Sequence, residues 1–325
     1  MNRRMGLFVA TALLFADAAL AADAVKIVTP FAAGGPADML ARLLAQELNP
    51  RLAADVIVEN RGGGGGIIGT EAVARAPADG KTLLVGSLGS HVISPHLHPG
   101  LSYDPAAAFT PVALIGSVPS VLVVAPQVKA DTLAELVALG KRTNLKYASA
   151  GPGTTMNISG EMLNAAAGIR ATHVPYRGAG PAVNDLLGGH IDFLIADFPV
   201  LLPVITAKSV RALALFGKER SPMLADVPTT AELGFPEAVM ENWYGVFAPA
   251  GLPRDIETKL GAAVVDALRS PSMRERLTAA GLRGSLDGAA FRTKLAADFT
   301  YWGAKIKTRG ITGEGSVTAA SASGP

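Results

Sequence analysis

The sequence predicts an α/β protein of two units joined by extended crossovers, with a cleft between them. Three observations predict it. Strand-like and helix-like segments alternate from residue 25 onward. Two segments, PVALIGSVPSVLVVAP and NWYGVFAPAG, read as unusually long extended stretches at the two ends of the second set of alternating elements. The chain, at 325 residues, is also long enough for two domains of ordinary size.

The elements follow in order. VKIVTPF is a β-branched run and therefore a strand. PADMLARLLAQELNP carries Met39, Leu40, Leu43, Leu44 and Leu48 at helical spacing. ADVIVEN is a second strand, GTEAVARA a short helix and KTLLVGS a third strand. This β-α-β-α-β rhythm predicts a largely parallel sheet with helices on both faces. Residues 94–111 are proline-rich and looser. After the first crossover come a helix (TLAELVALGKR), a strand (LKYASAG), a helix (TTMNISGEMLNAAAG), a strand (THVPYRG), a helix (PAVNDLLGGH) and the strands IDFLIAD and VRALALFG. After the second crossover, PRDIETKLGAAVVDALRS, PSMRERLTAAG and GAAFRTKLAADFTYWGAKIKTRG are helical. The expected division is residues 22–123 with 244–312 as domain 1 and 124–243 as domain 2. Residues 1–21 are expected to be a leader and 313–325, small and polar, a disordered tail.

Composition removes several functions. There is no cysteine, so disulfides, thiolate metal sites and cysteine nucleophiles are excluded. The formal net charge is +2, with both signs interspersed, which is no nucleic-acid footprint. At the N-terminus Arg3 and Arg4 precede an apolar run over residues 6–15 and the A-x-A site Ala19-Leu20-Ala21. This is the pattern of a cleaved secretory signal peptide, with the mature chain starting at Ala22. The run is too short for a membrane span, and Asp17 interrupts it. The expected compartment is the periplasm.

The loudest motif is ENRGGGGGIIGTEAV, in which Gly64, Gly66 and Gly69 fit G-x-G-x-x-G. A dinucleotide site wants an acid at the end of the next strand. That strand ends in Ser87 and Ser90 instead. The motif also follows the second strand of its unit, where the fingerprint belongs after the first. These glycines are read as a tight turn and close packing, and no cofactor is expected. The junction Phe31-Ala32-Ala33-Gly34-Gly35-Pro36 is quieter and more promising. Pro36 suits the first helical position, so Gly35 is the N-cap. Unpaired N–H groups at the positive end of a helix dipole can hold a carboxylate without a charged side chain. The alternative is an ordinary helix start with Asp38 capping the first turn. GSLGSH, with Ser87 and Ser90, and the run Ser149-Ala150-Gly151-Pro152-Gly153-Thr154-Thr155 repeat the theme at two more strand ends. Hydrogen bonds to a charged group contribute about 1.5–3 kcal/mol each. Four would give about 6–12 kcal/mol gross, against about 8 for micromolar binding.

His91, His96 and His98 fall close together, but no acid joins them and prolines interrupt any helix that would align them. They are read as solvated loop histidines, with no metal, and His173 and His190 as packing or surface residues. Neither G-x-S-x-G nor H-E-x-x-H occurs, so no catalytic residue is assigned.

Many segments match one family in order over nearly the whole mature chain. They include VTPFAAGGPADMLARLLAQEL, VIVENRGGGGGIIGTEAVARAPADGKTLL, YDPAAAFTPVALIGSVPSVLVV, YASAGPGTT, HVPYRGAGPAVNDLLGGHIDF, RSPMLADVPTTAELGF and WYGVFAPAGLP. The chain resembles the tripartite tricarboxylate transporter substrate-binding proteins, the Bug or TctC-like family. The resemblance implies a two-domain periplasmic binding fold, type II-like, hinged on two crossover strands near Val123 and Tyr244, with ligand in the interdomain cleft. It implies a non-enzymatic monomer that delivers a small organic carboxylate to membrane transporter subunits. A ligand sensor feeding a membrane receptor is the alternative, and an NAD-linked oxidoreductase a remote one. By resemblance the ligand-binding residues are Phe31, Ala32, Ala33, Gly34, Gly35, Ser87 and Ser90 from the first unit. Ser149, Gly153, Thr154 and Thr155 come from the second.

One segment departs from the family. Members often read F-D-N or F-D-S where this chain has Ile195-Ala196-Asp197. Asp197 either faces the cleft, where it would suit an ammonium, amide or hydroxyl and oppose a distal carboxylate, or faces away and caps the next turn.

Overall fold

A computed structural model describes residues 24–309 and Ile311. The expected signal peptide and the expected disordered tail lie outside the described residues. The first strands are β1 (Val25–Thr29), β2 (Val56–Asn60) and β3 (Thr82–Ser87), with helices α1 (Pro36–Leu52) and α2 (Ile67–Ala74) between them. β1 pairs parallel with both β2 and β3. β1 and β3 are apolar and buried along nearly their whole length, as strands covered on both faces must be.

A short helix α3 (Ser94–Leu97), preceded by a π-helical turn over Gly89–Ile93, leads to β4 (Phe109–Val124). The second set comprises α4 (Leu133–Gly140), β5 (Lys146–Ser149), α5 (Thr155–Ala167), β6 (Thr172–Pro175), α6 (Ala179–Leu187), β7 (Phe193–Asp197), α7 (Phe198–Thr206) and β8 (Arg211–Leu215). β9 (Glu241–Pro249) then returns, followed by α8 (Arg254–Arg269), α9 (Pro271–Ala279), β10 (Leu286–Asp287) and α10 (Gly288–Arg309).

The strand order is β2-β1-β3-β9-β4-β7-β5-β6, with β8 and β10 also on β4. β4 and β9 run antiparallel from Phe109 opposite Pro249 to Pro119 opposite Glu241. β9 joins this ribbon to β3, and the far end of β4 joins it to β7 and β8. The two long extended segments of the sequence are thus the strands that connect the two sets. Val123 and Tyr244 lie inside them. Among the described residues no helix is long and apolar enough to cross a membrane.

Some elements differ from the sequence reading, among them the short strand β10, which it did not contain. The loose stretch after residue 94 starts with α3, and FPVLLPVIT forms α7, which its prolines conceal. Pro199 lies in the first turn, where no N–H is needed, and Pro203 is tolerated inside a helix of only nine residues.

Gly160 sits in the middle of α5, where alanine would ordinarily favour the helix by about 1 kcal/mol. Here a Cβ would stand 2.2 Å from the Tyr147 ring. That ring is stacked between His173 and Phe193 and cannot swing aside. Gly160→Ala is expected to destabilise the protein by about 2 kcal/mol net, read as a lower urea midpoint at unchanged slope. An unchanged or higher midpoint would show that the ring yields.

Candidate functional site

Three helix starts meet at one cavity. α1 is capped by Gly35 with Pro36 as its first residue, as the sequence predicts. α5 is capped by Thr154, whose Oγ1 accepts from Asn157 N–H at 3.3 Å. α6 begins at Ala179. Gly35, Pro36 and Ala37 of the first, Thr154, Thr155 and Met156 of the second, and Ala179 of the third line one small cavity. Phe31, Ser87, Ala150, Asp197, Asn242 and Tyr244 complete it. None of the lining residues is Lys, Arg or His. Positive potential therefore comes from the unpaired N–H groups of helix first turns.

The two sides of the cleft touch. Ala32 N–H donates to Arg177 O at 2.9 Å, and a Cβ on Gly65 would stand 2.0 Å from Pro152 O.

Asp197, 3% exposed, also lines this cavity. It occupies the N-cap position of α7, yet its side chain makes no capping bond. Oδ1 accepts from Ser120 Oγ at 2.9 Å. Oδ2 accepts from Asn242 Nδ2 and Tyr244 Oη, each at 2.5 Å. Ser120 stands on β4 and the other two on β9. Burial pushes the carboxyl above its ordinary range, and the three donors oppose that push without cancelling it. The phenol of Tyr244 is pushed up by burial and by the adjacent carboxylate.

Of the residues expected from the sequence, Phe31, Gly35, Ser87, Thr154, Thr155 and Asp197 line this cavity. The others stand behind or beside it. Ser90 Oγ accepts from Ser87 N–H at 3.0 Å and lies 2.9 Å from His91 Nδ1, so it braces the Ser87 turn. Ser149 Oγ is engaged by His173 Nε2 at 2.6 Å and by Gly151 N–H at 3.0 Å. Gly153 packs on Ser94, and its N–H donates to Asn157 Oδ1. Gly34 N–H donates to Asp38 Oδ2 at 3.1 Å, while Ala33 is exposed. Asp38 is thus a capping group, as the alternative reading of that junction had it. Burial raises its carboxyl, but Arg42, Gly34 N–H and Asn60 outweigh this and hold it below its usual range.

Asn242 and Tyr244 were not found from the sequence. They lie two apart on one strand and so share a face; a polar residue at every second position of an apolar run was the available signal.

The glycine-rich motif is a packing device. Gly63, Gly64, Gly65 and Gly66 all have positive φ. A Cβ on Gly62 would meet Arg177 O at 2.7 Å, and one on Gly69 would meet Pro30 Cα at 2.6 Å. The histidine cluster is corrected, because none of the three is a freely solvated loop residue: His98 is partly buried, with its Nε2 buried. His91 is not solvated but fully buried, stacked on Phe247 at 3.9 Å. His96 bonds Phe299 O at 2.9 Å through Nε2. Among the described residues no group of His, Asp and Glu is arranged to hold a metal ion.

A sequence model described as the tripartite tricarboxylate transporter family receptor, TctC, matches residues 40–311. The chain belongs to this family. The solved structures it resembles include the periplasmic binding protein BugD, 33% identical with TM-score 0.85 over 89% of this chain and 98% of that one. A Rhodopseudomonas palustris protein with adipate is 33% identical, with TM-score 0.84 over 89% of this chain and 97% of that one. MatC of the same organism, with bound malate, is 35% identical, with TM-score 0.81 over 86% and 98%. The chain shares its two-domain binding fold with these proteins.

Proposed function

We propose that the protein is a periplasmic receptor that captures a small organic carboxylate and presents it to a tripartite-type membrane transporter, without catalysing a reaction. The observation that carries this reading is the convergence of three helix starts on one cavity whose lining has no cationic side chain. A carboxylate is the small group that such donors hold best. Phe31, Gly35, Ser87, Thr154 and Thr155 contact it. Ala32, Ala33, Gly34, Ser90, Ser149 and Gly153 shape the loops that present those contacts. Residues 22–123 with 244–312 and residues 124–243 move as two bodies about β4 and β9, and ligand favours the closed arrangement. The relatives with adipate and malate support the carboxylate class, and the family description supports the transporter.

A thermal-shift panel tests this. A ligand at about one hundred times its Kd adds about 2.7 kcal/mol to the folded state. One or more small carboxylates should therefore raise the melting temperature by several degrees, and mass spectrometry of protein purified without denaturant should find such an acid retained. Stabilisation by sugars, cations or NADH with none by carboxylates would overturn the reading.

A further inference from the structure

Asp197 places an anion in a cavity otherwise built to hold one. Its partners on β4 and β9 are all neutral donors: the Ser120 hydroxyl, the Asn242 amide and the Tyr244 phenol. Three donors are what an ionised carboxylate accepts. Oδ2 takes two of them and Oδ1 one. A carboxylate has about four acceptor sites, so Oδ1 retains capacity for one more donor. No Lys, Arg or His lines the cavity to neutralise the charge. Burial holds the carboxyl above its usual range, which is the mark of a charge lacking a counter-ion.

We infer that Asp197 selects a ligand whose far end carries an ammonium group, so that the receptor prefers an amino-carboxylate to the dicarboxylate of the same length. The inference rests on the reading of the cleft as a carboxylate receptor and names the second half of the ligand. The ligand's carboxylate meets the starts of α1, α5 and α6, and its ammonium meets Asp197. A dicarboxylate would set a second anion against Asp197 in a water-poor space, where like charges repel strongly. An amino-carboxylate instead supplies the counter-ion that the side chains omit. A hydroxyl at that end would satisfy Oδ1 but leave the charge uncompensated, so it ranks between the two.

Calorimetric titration near neutral pH with matched pairs tests this: malonate against β-alanine, succinate against γ-aminobutyrate, and adipate against ε-aminocaproate. The amino member of the best-binding pair should bind at least about tenfold more tightly, or about 1.4 kcal/mol. Asp197→Asn should remove that preference, weakening the amino ligand about tenfold or more while dicarboxylates hold or gain. The wild-type comparison decides the matter even if the variant folds poorly. Tighter binding of the dicarboxylate by the wild-type protein would overturn the inference and leave the carboxylate receptor standing. Binding of neither series would overturn both.

Discussion

Replacing Gly65 by alanine is expected to weaken ligand binding by about a hundredfold while leaving the protein folded. Gly65 has φ of +64°, and a Cβ there would lie 2.0 Å from Pro152 O and 3.2 Å from Pro152 C. Both of those atoms are backbone, so no side chain can turn away. Pro152 belongs to the loop that leads into α5, on the other side of the cleft. The new methyl is therefore compatible only with a cleft opened by an ångström or more. On the proposed hinge, the variant still folds as two bodies but has lost its closed state. A hundredfold loss corresponds to about 2.7 kcal/mol of bias against closure. The left-handed backbone adds a local cost of about 1 kcal/mol, so the urea midpoint should fall only modestly. Gly64→Ala is the matched control. It shares the positive φ, but its Cβ would meet nothing closer than 3.6 Å. Equal affinity losses in the two variants would show that strain in the turn, and not contact across the cleft, is what alanine changes.

Acid should destabilise the protein at pH values where ordinary carboxylates are still ionised. His91 is fully buried against Phe247 and Phe109, and burial pushes its pKa from 6.5 down to about 3. The unfolded chain takes up a proton at this residue as pH falls through about 6.5, and the folded protein does not until about 3. Stability therefore declines across that window. Two units below 6.5 the loss from His91 approaches about 3 kcal/mol, at about 1.4 kcal/mol per unit. His173, pushed down to about 4 by burial, acts in the same direction, with a smaller effect because it is only partly buried. Asp197 and Glu161 act in the opposite sense. Burial raises both, so the stability tied to their protonation is present in acid and lost as pH rises through their folded values. Asp38, whose carboxyl is lowered, contributes stability that fades only in stronger acid. Urea midpoints measured at neutral pH and near pH 4.5 should differ clearly for the wild-type protein and less for His91→Asn, whose side-chain amide sits where Nδ1 does and can keep a bond to Ser90. An identical decline in both proteins would assign the acid sensitivity to other groups.

Much of the site's framework was legible in the sequence because it depends on neighbours. Pro36 directly after Gly35 reports a helix start whatever surrounds it, since proline fixes φ and lacks the N–H that a first turn leaves unpaired. Thr154 reports the start of α5 in the same way. The two crossovers were legible as runs too long and too apolar for surface loops. What those starts face was not legible. Ser149 and Thr154 looked alike as hydroxyls in one loop, but His173, from the next strand, engages Ser149. Ser90 looked like a ligand contact and instead braces Ser87.

The sequence by itself determined the succession of elements, their caps and the family, because short-range backbone preferences and apolar periodicity encode these within a few residues. Only the tertiary structure decided that Asp197 meets Ser120, 77 residues earlier, and Tyr244, 47 residues later. It alone also set Gly65 against Pro152. Such meetings depend on how strands pair and helices pack over the whole chain. A displacement of one residue in the β4–β9 register would turn Asn242 and Tyr244 to the opposite face of the sheet, and nothing local to either residue records that register.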